Sequence, residues 1–347
     1  MAGLVSAGDN DSRTPDDNDG DSQRADALSA PEGLEPRGPL RVGLVGFGDI
    51  AQQHWRALTS AGAEVVGAVT TRRVPDPLVA YASFERMLSD IDAVTIAVPN
   101  VLHAHLCAEA VEARKAVFVE KPLCVHADEL TVLEPLLRRA RAPVQLGFRL
   151  RWHSRLIDLR ARVRGARRVV SVACGYRLDL DELARGKPWT RRRSLSGGAW
   201  GTLGIHALDL ARWLVDAGDT PLDGLEATSS HLDDGADFPL VAAASGRLAT
   251  GTSLAASVDL RTGQRFVLDC WVDVETEPGD IARLTPWTGR RGDASGALEA
   301  PGDVEREYDA MLSHFVRAAD AGLVDRGDLE ASLAVHRTLV DILATDG

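Results

Sequence analysis

The spacing of hydrophobic and polar positions changes twice along the chain and divides it into three segments. Residues 1–39 are rich in Asp, Gly, Ser, Asn and Pro and show almost no apolar periodicity. A segment of this kind cannot bury enough apolar surface to offset the entropy lost on ordering. Residues 1–39 are therefore predicted to form a disordered acidic tail.

In residues 40–146, short apolar runs alternate with segments whose apolar positions have helical spacing. The strand-like runs include RVGLVGFG, EVVGAVTT and AVFVEKP, and the helical segments include DIAQQHWRALTSAG and HAHLCAEAVEARK. Apolar strands that alternate with helices predict a parallel sheet covered on both faces. We expect an N-terminal Rossmann domain with a doubly wound parallel sheet over residues 40–146.

Residues 147–347 follow a different pattern, in which strand-like runs succeed one another with few helices between them. One helix, TLGIHALDLARWLVDAG, interrupts the strands, and amphipathic helices over about 304–321 and 329–344 close the chain. Successive strands without intervening helices indicate a mixed or antiparallel sheet. The predicted fold class is α/β, with a second α/β domain over residues 147–347.

Composition and charge exclude several classes of function. With 347 residues, of which 45% are hydrophobic and 26% charged, the chain has the make-up of a globular protein of two domains. Its net charge of −12 argues against a nucleic-acid partner, because phosphate backbones attract clustered Lys and Arg. No apolar run reaches the roughly 18 residues of a membrane span, and the start of the chain lacks a secretory signal. We expect a cytoplasmic protein with a small-molecule partner and with neither membrane nor nucleic acid.

The spacing of cysteine and histidine predicts no metal site. The cysteines form no CxxC pair, and the histidines show no H-x-x-x-H or comparable spacing. Reduced, buried thiols are expected at Cys107, Cys124, Cys174 and Cys270.

The turn after the first predicted strand carries a dinucleotide-binding pattern, GFGDIA. Its first glycine permits a tight turn, its second lets the backbone approach a pyrophosphate, and its alanine allows close helix packing. The free N–H groups at the helix start attract the anion. The predicted cofactor-binding residues here are Gly46, Phe47, Gly48, Asp49, Ile50 and Ala51. The alternative is a glycine-rich turn of some other α/β protein.

The end of the second predicted strand favours NADP as the cofactor. An NAD site usually has Asp or Glu there for the ribose 2′-OH, whereas this strand ends in AVTTRR. Thr70 and Thr71 can bond a 2′-phosphate, and Arg72 or Arg73 can supply charge and a bidentate contact. The alternative is two solvated arginines in a loop, and NAD is the second choice of cofactor.

Further segments resemble a known family. AVPNVLHAHLCAEAVEARKAVFVEKPL is similar to the hallmark segment of the Gfo/Idh/MocA oxidoreductases, with a P-N-x-x-H turn before a helix and an E-K-P motif after it. GFRLRW and SGGAWGTLGIHALDLARWL resemble the entry to that family's second domain and its histidine-bearing helix, and the likeness extends over about residues 40–345. The resemblance implies cofactor contacts at Pro99, Asn100, His103, Glu120 and Lys121.

Lys121 is the predicted proton carrier. It matches the family lysine that lies beside the nicotinamide and the reacting hydroxyl or carbonyl group, where an ammonium can polarise a carbonyl and donate a proton. Only three of the 39 basic residues are lysines, and arginine could not replace Lys121 in this role because a guanidinium does not readily lose a proton. The alternative is a surface lysine after a strand.

The resemblance places a second proton-transfer group at His206, because imidazole titrates near neutral pH. One turn before it, the family commonly has Asp, and this chain has Thr202, which can hydrogen-bond but carries no charge. Asp209 matches another family acid, for which we expect a structural or orienting role. A satisfied core histidine is the alternative for His206.

Other second-domain residues are candidates for the substrate pocket. An aromatic ring suits the face of a sugar, and a guanidinium suits its oxygens or an anionic group. The predicted substrate-binding residues are Lys121, Arg151, Tyr176, Trp189, Thr202 and His206. For the neighbouring triplet Arg191, Arg192 and Arg193, a solvated loop is the favoured interpretation.

The predicted function is NAD(P)-dependent interconversion of a hydroxyl and a carbonyl on a sugar, cyclitol or similar polyol-like metabolite. Its predicted catalytic residues are Lys121, His206 and Thr202. Two alternatives stay open because Thr202 departs from the family pattern: altered chemistry within the same family, and a non-catalytic dinucleotide-binding regulator that uses its acidic tail for a partner.

The resemblance also implies the architecture and assembly of the second domain. Its sheet is expected to be large, mostly antiparallel and open, with the exposed face packed on another subunit. Such a face, if uncovered, would be a large apolar patch. A homo-oligomer, either a dimer or a tetramer, is therefore expected.

Overall fold

The computed structural model describes residues 38–230, 236–263, 266–277, 281–290 and 301–345. All but the last two residues of the predicted acidic tail lie outside these ranges, so the tail stays a prediction. Residues 36–347 group into one compact unit.

Six parallel strands form the first sheet. They are β1 (Arg41–Val45), β2 (Glu64–Val69), β3 (Val79–Ala80), β4 (Ala93–Ile96), β5 (Ala116–Val119) and β6 (Val144–Leu146). Their spatial order is β3-β2-β1-β4-β5-β6, so the order reverses between β1 and β4. This is the doubly wound arrangement whose ligand crevice lies at the carboxyl ends of the strands, next to that reversal. The predicted Rossmann fold is confirmed.

Four helices connect these strands: α1 (Asp49–Ser60), α2 (Phe84–Leu88), α3 (His103–Glu112) and α4 (Ala127–Arg138). Helix α1 buries Ala51, His54, Ala57 and Leu58 on the side that faces the sheet. Strands β1, β4 and β5 are apolar and almost wholly buried, as expected for strands covered on both faces.

The second sheet also has six strands. They are β7 (Val169–Leu178), β8 (Asp223–Ser230), β9 (Val241–Arg247), β10 (Ser253–Asp259), β11 (Phe266–Thr276) and β12 (Ile281–Arg290). Their order is β12-β11-β7-β10-β9-β8, and every neighbouring pair except β7 with β10 is antiparallel. The prediction of a large, mostly antiparallel sheet is confirmed.

The helices of this part of the chain are α5 (Ser154–Arg164), α6 (Leu180–Ala184), α7 (Arg193–Ser196), α8 (Ile205–Leu214), α9 (Pro301–Ala321) and α10 (Arg326–Thr345). Helix α8 packs on β7 and β10, whose inward side chains are apolar and buried. A π-helical turn over Trp200–Gly204 leads into α8. This turn and α8 bring Thr202 and His206 to the covered face of the second sheet.

The two C-terminal helices return to the first sheet. Helix α9 packs on α1, and its Tyr308, Met311 and Phe315 join the core beneath β1 and β5. Helix α10 contacts α4, β6 and α8. The last two helices therefore bind the two sheets together, and the predicted domain boundary at residue 147 stays a prediction.

The open face of the second sheet is mixed in character on the strands whose side chains the structure describes. Its outward side chains on β7, β9 and β10 are mostly small or polar: Ser171, Ala173, Ala243, Ser245, Ala255 and Ser257. Arg177 and Asp259 pair across it, with 3.4 Å between Nε and Oδ2. The large exposed hydrophobic side chains of the described residues, Val79, Leu102, Val132 and Ile157, lie on other elements. The half-buried Trp271 of β11 lies on the same face, beneath the guanidinium of Arg177. The expected apolar patch and the homo-oligomer both stay predictions.

All four cysteines are free and buried, as expected. Burial raises the pKa of Cys107 to about 12, so this thiol stays protonated near neutral pH. Within the described ranges, no helix is long and apolar enough to cross a bilayer. In the same ranges, no group of three or more His, Cys, Asp or Glu side chains is placed to hold a metal ion.

Candidate active site

The predicted fingerprint forms a cradle at the end of β1. Gly46 has φ +94°, and a Cβ built on it would lie 2.3 Å from the carbonyl oxygen of Ala97 after β4, so only glycine fits there. Gly48 precedes α1, and a Cβ at that position would meet no atom within 4 Å. Open space above Gly48 and free N–H groups at the start of α1 are what a pyrophosphate needs. The residues present therefore fit a dinucleotide.

The other members of the fingerprint divide between core and surface. Ala51 is buried at 1% exposure and lets α1 pack closely on the sheet. Phe47 is buried against Trp55 of α1, with ring centroids 5.9 Å apart, and Ile50 is half-buried. Asp49 is exposed at the first position of the helix.

A cavity of about 390 Å³ lies beside this cradle, at the end of β2. Its lining residues are Phe47, Gln52, Trp55, Arg72, Arg73 and Pro75. Thr70 Oγ1 accepts a hydrogen bond of 3.1 Å from the backbone N–H of Arg72, which shapes the turn, and Thr71 is exposed. Among the described residues, neither Arg72 nor Arg73 forms an ion pair with an acidic side chain. Both guanidinium groups are therefore available to an anionic ligand.

The P-N-x-x-H turn braces the cleft from inside. Asn100 is buried, and its Nδ2 donates to the carbonyl oxygen of Ser196 at 2.8 Å. His103 is also buried and lies between two carbonyl oxygens, with Nδ1 2.7 Å from Pro122 O and Nε2 2.9 Å from Val98 O. Burial lowers the pKa of His103. Backbone carbonyl oxygens are thus the partners of Asn100 Nδ2 and of the His103 ring, and the cofactor contacts expected at these two residues stay predictions. Pro99 precedes this turn and carries no side-chain donor.

Lys121 follows β5 at the crevice edge of the first sheet. Its Nζ donates a 2.7 Å hydrogen bond to the backbone carbonyl oxygen of Thr202, from the turn before α8. Burial lowers the pKa of Lys121 to about 8; neighbouring Glu120 opposes this change, and Arg149 and Lys187 add to it. Lys121 can therefore exchange a proton near neutral pH.

Two histidines hold the turn that carries Lys121. The Pro122 carbonyl oxygen lies 2.7 Å from His103 Nδ1, and the backbone N–H of Leu123 donates to His336 Nε2 at 2.8 Å. His336 lies on α10 and is fully buried. The sequence argument missed His336, because no local pattern links it to a turn more than 200 residues earlier.

Glu120 lies between Lys121 and helix α1. His54 Nε2 is 3.1 Å from Glu120 Oε1, and the His54 ring is fully buried. Burial by itself would raise the pKa of Glu120, but the hydrogen bond with His54 and the proximity of Lys121 outweigh burial and lower it. Glu120 is therefore a carboxylate next to Lys121, which is half-buried.

Thr202 and His206 lie opposite Lys121. The Thr202 hydroxyl donates to the carbonyl oxygen of Gly198 at 2.6 Å, so its proton is not free. The His206 ring stacks on Tyr176 at 5.6 Å between centroids. Burial, followed by repulsion from Lys121 and Arg149, lowers the pKa of His206 well below its usual value. The structure thus brings Lys121, Thr202, His206 and Tyr176 together, with His206 neutral.

Arg151 is bound by two carboxylates, and its assignment to the substrate pocket stays a prediction. Its guanidinium binds Asp209 of α8 through Nε, at 3.0 and 3.1 Å from the two carboxylate oxygens, and Asp328 of α10 through Nη1 at 2.6 Å. Both Arg151 and Asp209 are buried. The sequence pattern could not reveal that Arg151 forms an ion pair with a carboxylate inside the protein. The structural role expected for Asp209 agrees with this pair.

Three charged residues near the site were not singled out from the sequence. Arg149 pairs with the buried Glu307 of α9, with 2.5 Å between Nη1 and Oε2. Lys187, half-buried, precedes the short 3₁₀ helix that contains the half-buried Trp189. The scarcity of lysine in this chain was a signal that could have identified Lys187.

Comparison with known families matches both parts of the chain. Residues 40–148 match the family described as "Oxidoreductase family, NAD-binding Rossmann fold", and residues 162–285 match the "GFO/IDH/MocA C-terminal domain". The two matches together span both sheets.

Individual relatives cover most of the chain. The rhizopine catabolism protein MocA of Rhizobium meliloti is 28% identical over 334 residues, which is 88% of this chain and 96% of the relative. D-xylose 1-dehydrogenase (NADP(+)) 2 of Haloferax volcanii is 27% identical over 304 residues, or 83% of this chain and 89% of the relative. The crystal structure of myo-inositol 2-dehydrogenase from Lactobacillus plantarum has a TM-score of 0.75 at 17% identity, covering 89% of this chain and 97% of that one, and shares the fold. The chain, with its glycine cradle, its E-K-P lysine and its histidine-bearing α8, belongs to the Gfo/Idh/MocA family of NAD-binding oxidoreductases.

Proposed function

We propose that this protein is an NADP-dependent dehydrogenase or reductase that interconverts a hydroxyl and a carbonyl on a sugar, cyclitol or similar polyol. Lys121 moves the proton, with His206 beside it. The observation that carries the proposal is a half-buried lysine at the crevice edge of a Rossmann sheet, held by the Thr202 carbonyl oxygen and with a pKa of about 8. A proton carrier works best when its pKa lies near the working pH.

The cradle and the neighbouring cavity are the proposed cofactor site. Gly46, Gly48 and the start of α1 would hold the pyrophosphate, and Arg72 and Arg73 would hold a 2′-phosphate. The bound nicotinamide would supply the hydride chemistry. Two observations support NADP over NAD. Residues 70–73, directly after β2, include no carboxylate. The cavity at this end of β2 is lined by two arginines that have no acidic partners in the described part of the chain. The Haloferax relative is also named as an NADP enzyme.

Lys121 acts differently in the two directions of the reaction. In oxidation, its neutral amine accepts the proton of the substrate hydroxyl. In reduction, its ammonium donates a proton to the carbonyl oxygen. Thr202 contributes no charge to either step, and its backbone carbonyl orients Nζ through the 2.7 Å hydrogen bond. The usual Lys-Asp-His cluster is thus reduced to a lysine that acts with a neutral histidine.

His206 and Tyr176 form one wall of the proposed substrate site. The neutral imidazole offers a donor or an acceptor to a substrate oxygen, and its stacking on Tyr176 fixes the ring. Relatives named for rhizopine, xylose and myo-inositol suggest a compound that carries several hydroxyl groups. Trp189 and Lys187 are proposed to contact its far side, where an aromatic ring and a cation suit a polyol or an anionic sugar.

Cofactor binding is the direct test. The fluorescence of the seven tryptophans, one of which lines the cavity, reports binding of NADPH or NADH by the purified protein. We expect NADPH to bind more tightly than NADH. The Arg72→Ala, Arg73→Ala double variant should weaken the affinity for NADPH by roughly tenfold or more and change the affinity for NADH little. The matched control is Arg139→Ala, Arg141→Ala, an exposed arginine pair that precedes β6 at the opposite edge of the sheet. Equal loss for both cofactors, or in both double variants, would reject the 2′-phosphate site.

Turnover tests the proton carrier. With a polyol substrate, the oxidation rate should rise as the pH passes through about 8, because the amine must be neutral, and the reduction rate should fall over the same range. Lys121→Met should abolish both and leave NADPH binding close to wild type. Unchanged turnover in that variant would reject Lys121, and tight binding without turnover in the wild-type protein on a panel of polyols would favour the regulator.

A further inference from the structure

His54 lies on the buried side of α1, away from the cradle and from the residues assigned to proton transfer. Its ring is fully buried, 5.1 Å from Phe118 of β5 and 5.6 Å from Tyr308 of α9 between ring centroids. Its Nε2 lies 3.1 Å from Glu120 Oε1. An imidazole thus meets a carboxylate at the point where the dinucleotide-binding helix crosses the end of β5.

The position of the ring proton follows from the two nitrogens. His54 Nδ1 is buried and has no hydrogen-bond partner among the residues that the structure describes. A proton on Nδ1 would be an unsatisfied buried donor, whereas a proton on Nε2 is donated to the carboxylate. His54 is therefore a fixed donor to Glu120.

Glu120 is also confined from the other side. A Cβ built on Gly147, just after β6, would lie 3.0 Å from the Glu120 carboxyl carbon. Glycine at 147 leaves the room that the carboxylate occupies. The carboxylate therefore lies between Gly147 and His54 and next in sequence to Lys121.

We propose that His54 is a positioning residue that fixes the Glu120 carboxylate beside Lys121 and thereby sets the protonation of that lysine. Through this one hydrogen bond, helix α1 influences the protonation of Lys121. The effect matters for catalysis only if Lys121 is the proton carrier, as the proposed function states. None of the family motifs used above includes His54.

The direction of the effect follows from the charges around the pair. Glu120 faces His54 from α1 and His103 from α3, and it adjoins Lys121. Lys121 in turn faces Arg149 and Lys187, with Glu120 as the negative group that favours its ammonium form. Without the donor from His54, nothing holds the carboxylate on that side, and it can turn away from Lys121. The pKa of Lys121 should then fall below about 8, because a more distant carboxylate opposes burial and the two cations less.

The low lysine content makes the titration midpoint of Lys121 measurable without turnover. In full-length protein grown with ¹³C-lysine, only Lys115, Lys121 and Lys187 give side-chain signals, and the signal that is absent from Lys121→Arg belongs to Lys121. A pH titration of its ¹³Cε shift then gives its midpoint directly. Lys115 serves as an internal reference, because it precedes β5 at the end opposite Lys121 and its Nζ donates to the Ile91 carbonyl oxygen.

His54→Leu should lower the Lys121 midpoint by about 1 pH unit and leave the Lys115 midpoint unchanged. His54→Gln, which keeps an N–H donor near Nε2, should restore most of the wild-type value. An unchanged Lys121 midpoint in His54→Leu would overturn the proposal, as would the same decrease in His54→Gln. If His54→Leu does not fold, His54→Asn, whose amide is too short to reach Glu120, replaces it with the same expectation.

A double-variant cycle separates coupling from general damage. Glu120→Gln removes the charge, so adding His54→Leu to it should move the Lys121 midpoint no further. A further decrease would mean that His54 acts on Lys121 by another route and would overturn the proposal. Because the titration needs neither substrate nor turnover, a protein that fails to oxidise polyols still tests the coupling. A shift of the pH–rate profile in parallel with the midpoint would link the coupling to catalysis.

Discussion

At the scale of single residues, the character of the site depends on which carboxylates surround Lys121. Among the described residues, Glu120 is the acidic group that favours the ammonium form of Lys121, and burial, Arg149 and Lys187 oppose it. Thr202 stands where the family commonly has Asp, and it offers Lys121 only a backbone carbonyl oxygen. Burial is the main cause of the pKa of Lys121 near 8, and Thr202 adds no charge that would oppose it.

Thr202→Asp should raise the pKa of Lys121, and with it the midpoint of the pH–rate profile, by about 1 pH unit, because an added negative charge favours the ammonium. It should also cost about 1 kcal/mol of stability, because a carboxylate cannot donate to the Gly198 carbonyl as the threonine hydroxyl does. The measurements are the pH dependence of turnover and urea unfolding. Thr202→Asn is the uncharged control, and an identical pH profile in the Asp and Asn variants would contradict the explanation.

At the scale of elements, helix α10 supports a turn that is distant in sequence. His336 is fully buried, accepts a hydrogen bond from the backbone of Leu123 through Nε2, and lies with Nδ1 2.8 Å from the Ser332 carbonyl oxygen. Burial lowers the pKa of His336 to about 4. The neutral form is the one that can accept the Leu123 hydrogen bond, so the geometry and the pKa agree.

This depressed pKa predicts a pH dependence of stability. Between pH 6.5 and pH 4 the unfolded chain binds a proton at His336 that the folded chain does not, so the free energy of unfolding should fall with decreasing pH. The contribution of His336 is about 2 kcal/mol between pH 7 and pH 5. Urea unfolding gives the free energy of unfolding at pH 7 and at pH 5. The difference between the two pH values should be smaller in His336→Gln than in wild type by about 2 kcal/mol. An equal difference in the two proteins would show that His336 does not contribute.

At the scale of the whole molecule, buried ion pairs join segments that belong to different parts of the fold. Arg151, just after the first sheet, is bound by Asp209 of α8 and by Asp328 of α10. Arg149 pairs with Glu307 of α9 in the same region. Burial raises the pKa of Asp209, and Arg151 opposes this. Arg151 and Asp209 both lost their hydration on folding. Removing either partner leaves an unpaired buried charge and strongly lowers the free energy of unfolding.

Asp209→Ala should therefore destabilise the protein by roughly 3–5 kcal/mol, because it strips a buried guanidinium of its main partner. The control is Asp216→Ala, whose carboxylate pairs with Arg160 and Arg164 at the surface and should cost about 1 kcal/mol or less. Arg151→Met combined with Asp209→Leu should recover much of the loss, since a well-packed apolar pair avoids the desolvation penalty. Urea unfolding tests all three, and equal costs for the two single variants would contradict the buried-pair argument.

Much of the fold could be predicted because its signals are local. The alternation of apolar runs with helical spacing predicted the Rossmann sheet, and successive strands predicted the second one. The glycine pattern of GFGDIA correctly placed the cradle, since the +94° φ of Gly46 depends on its immediate backbone. The apolar open face stays a prediction, because small and polar side chains of β7 and β10 share that face with Trp271 of β11.

The candidate site was only partly predictable, for a related reason. Lys121, His206 and Thr202 were identified from motifs, and the structure brings them together. Cofactor contacts at Asn100 and His103 stay predictions, and the structure shows backbone carbonyls as the partners of their polar atoms. Which group a polar side chain satisfies depends on what packs beside it, and a motif does not contain that information.

The sequence by itself therefore determined the two sheets, the glycine cradle and the selection of Lys121 as the candidate proton carrier. Each depends on the periodicity or chemistry of a few neighbouring residues. The tertiary structure alone decided the partners: His54 with Glu120, separated by 66 positions, Arg151 with Asp209, separated by 58, and Leu123 with His336, separated by 213. These contacts exist only after α1, α8 and α10 have packed. Burial then shifts the pKa of Lys121 to about 8, a property of the packed site that an isolated lysine does not have.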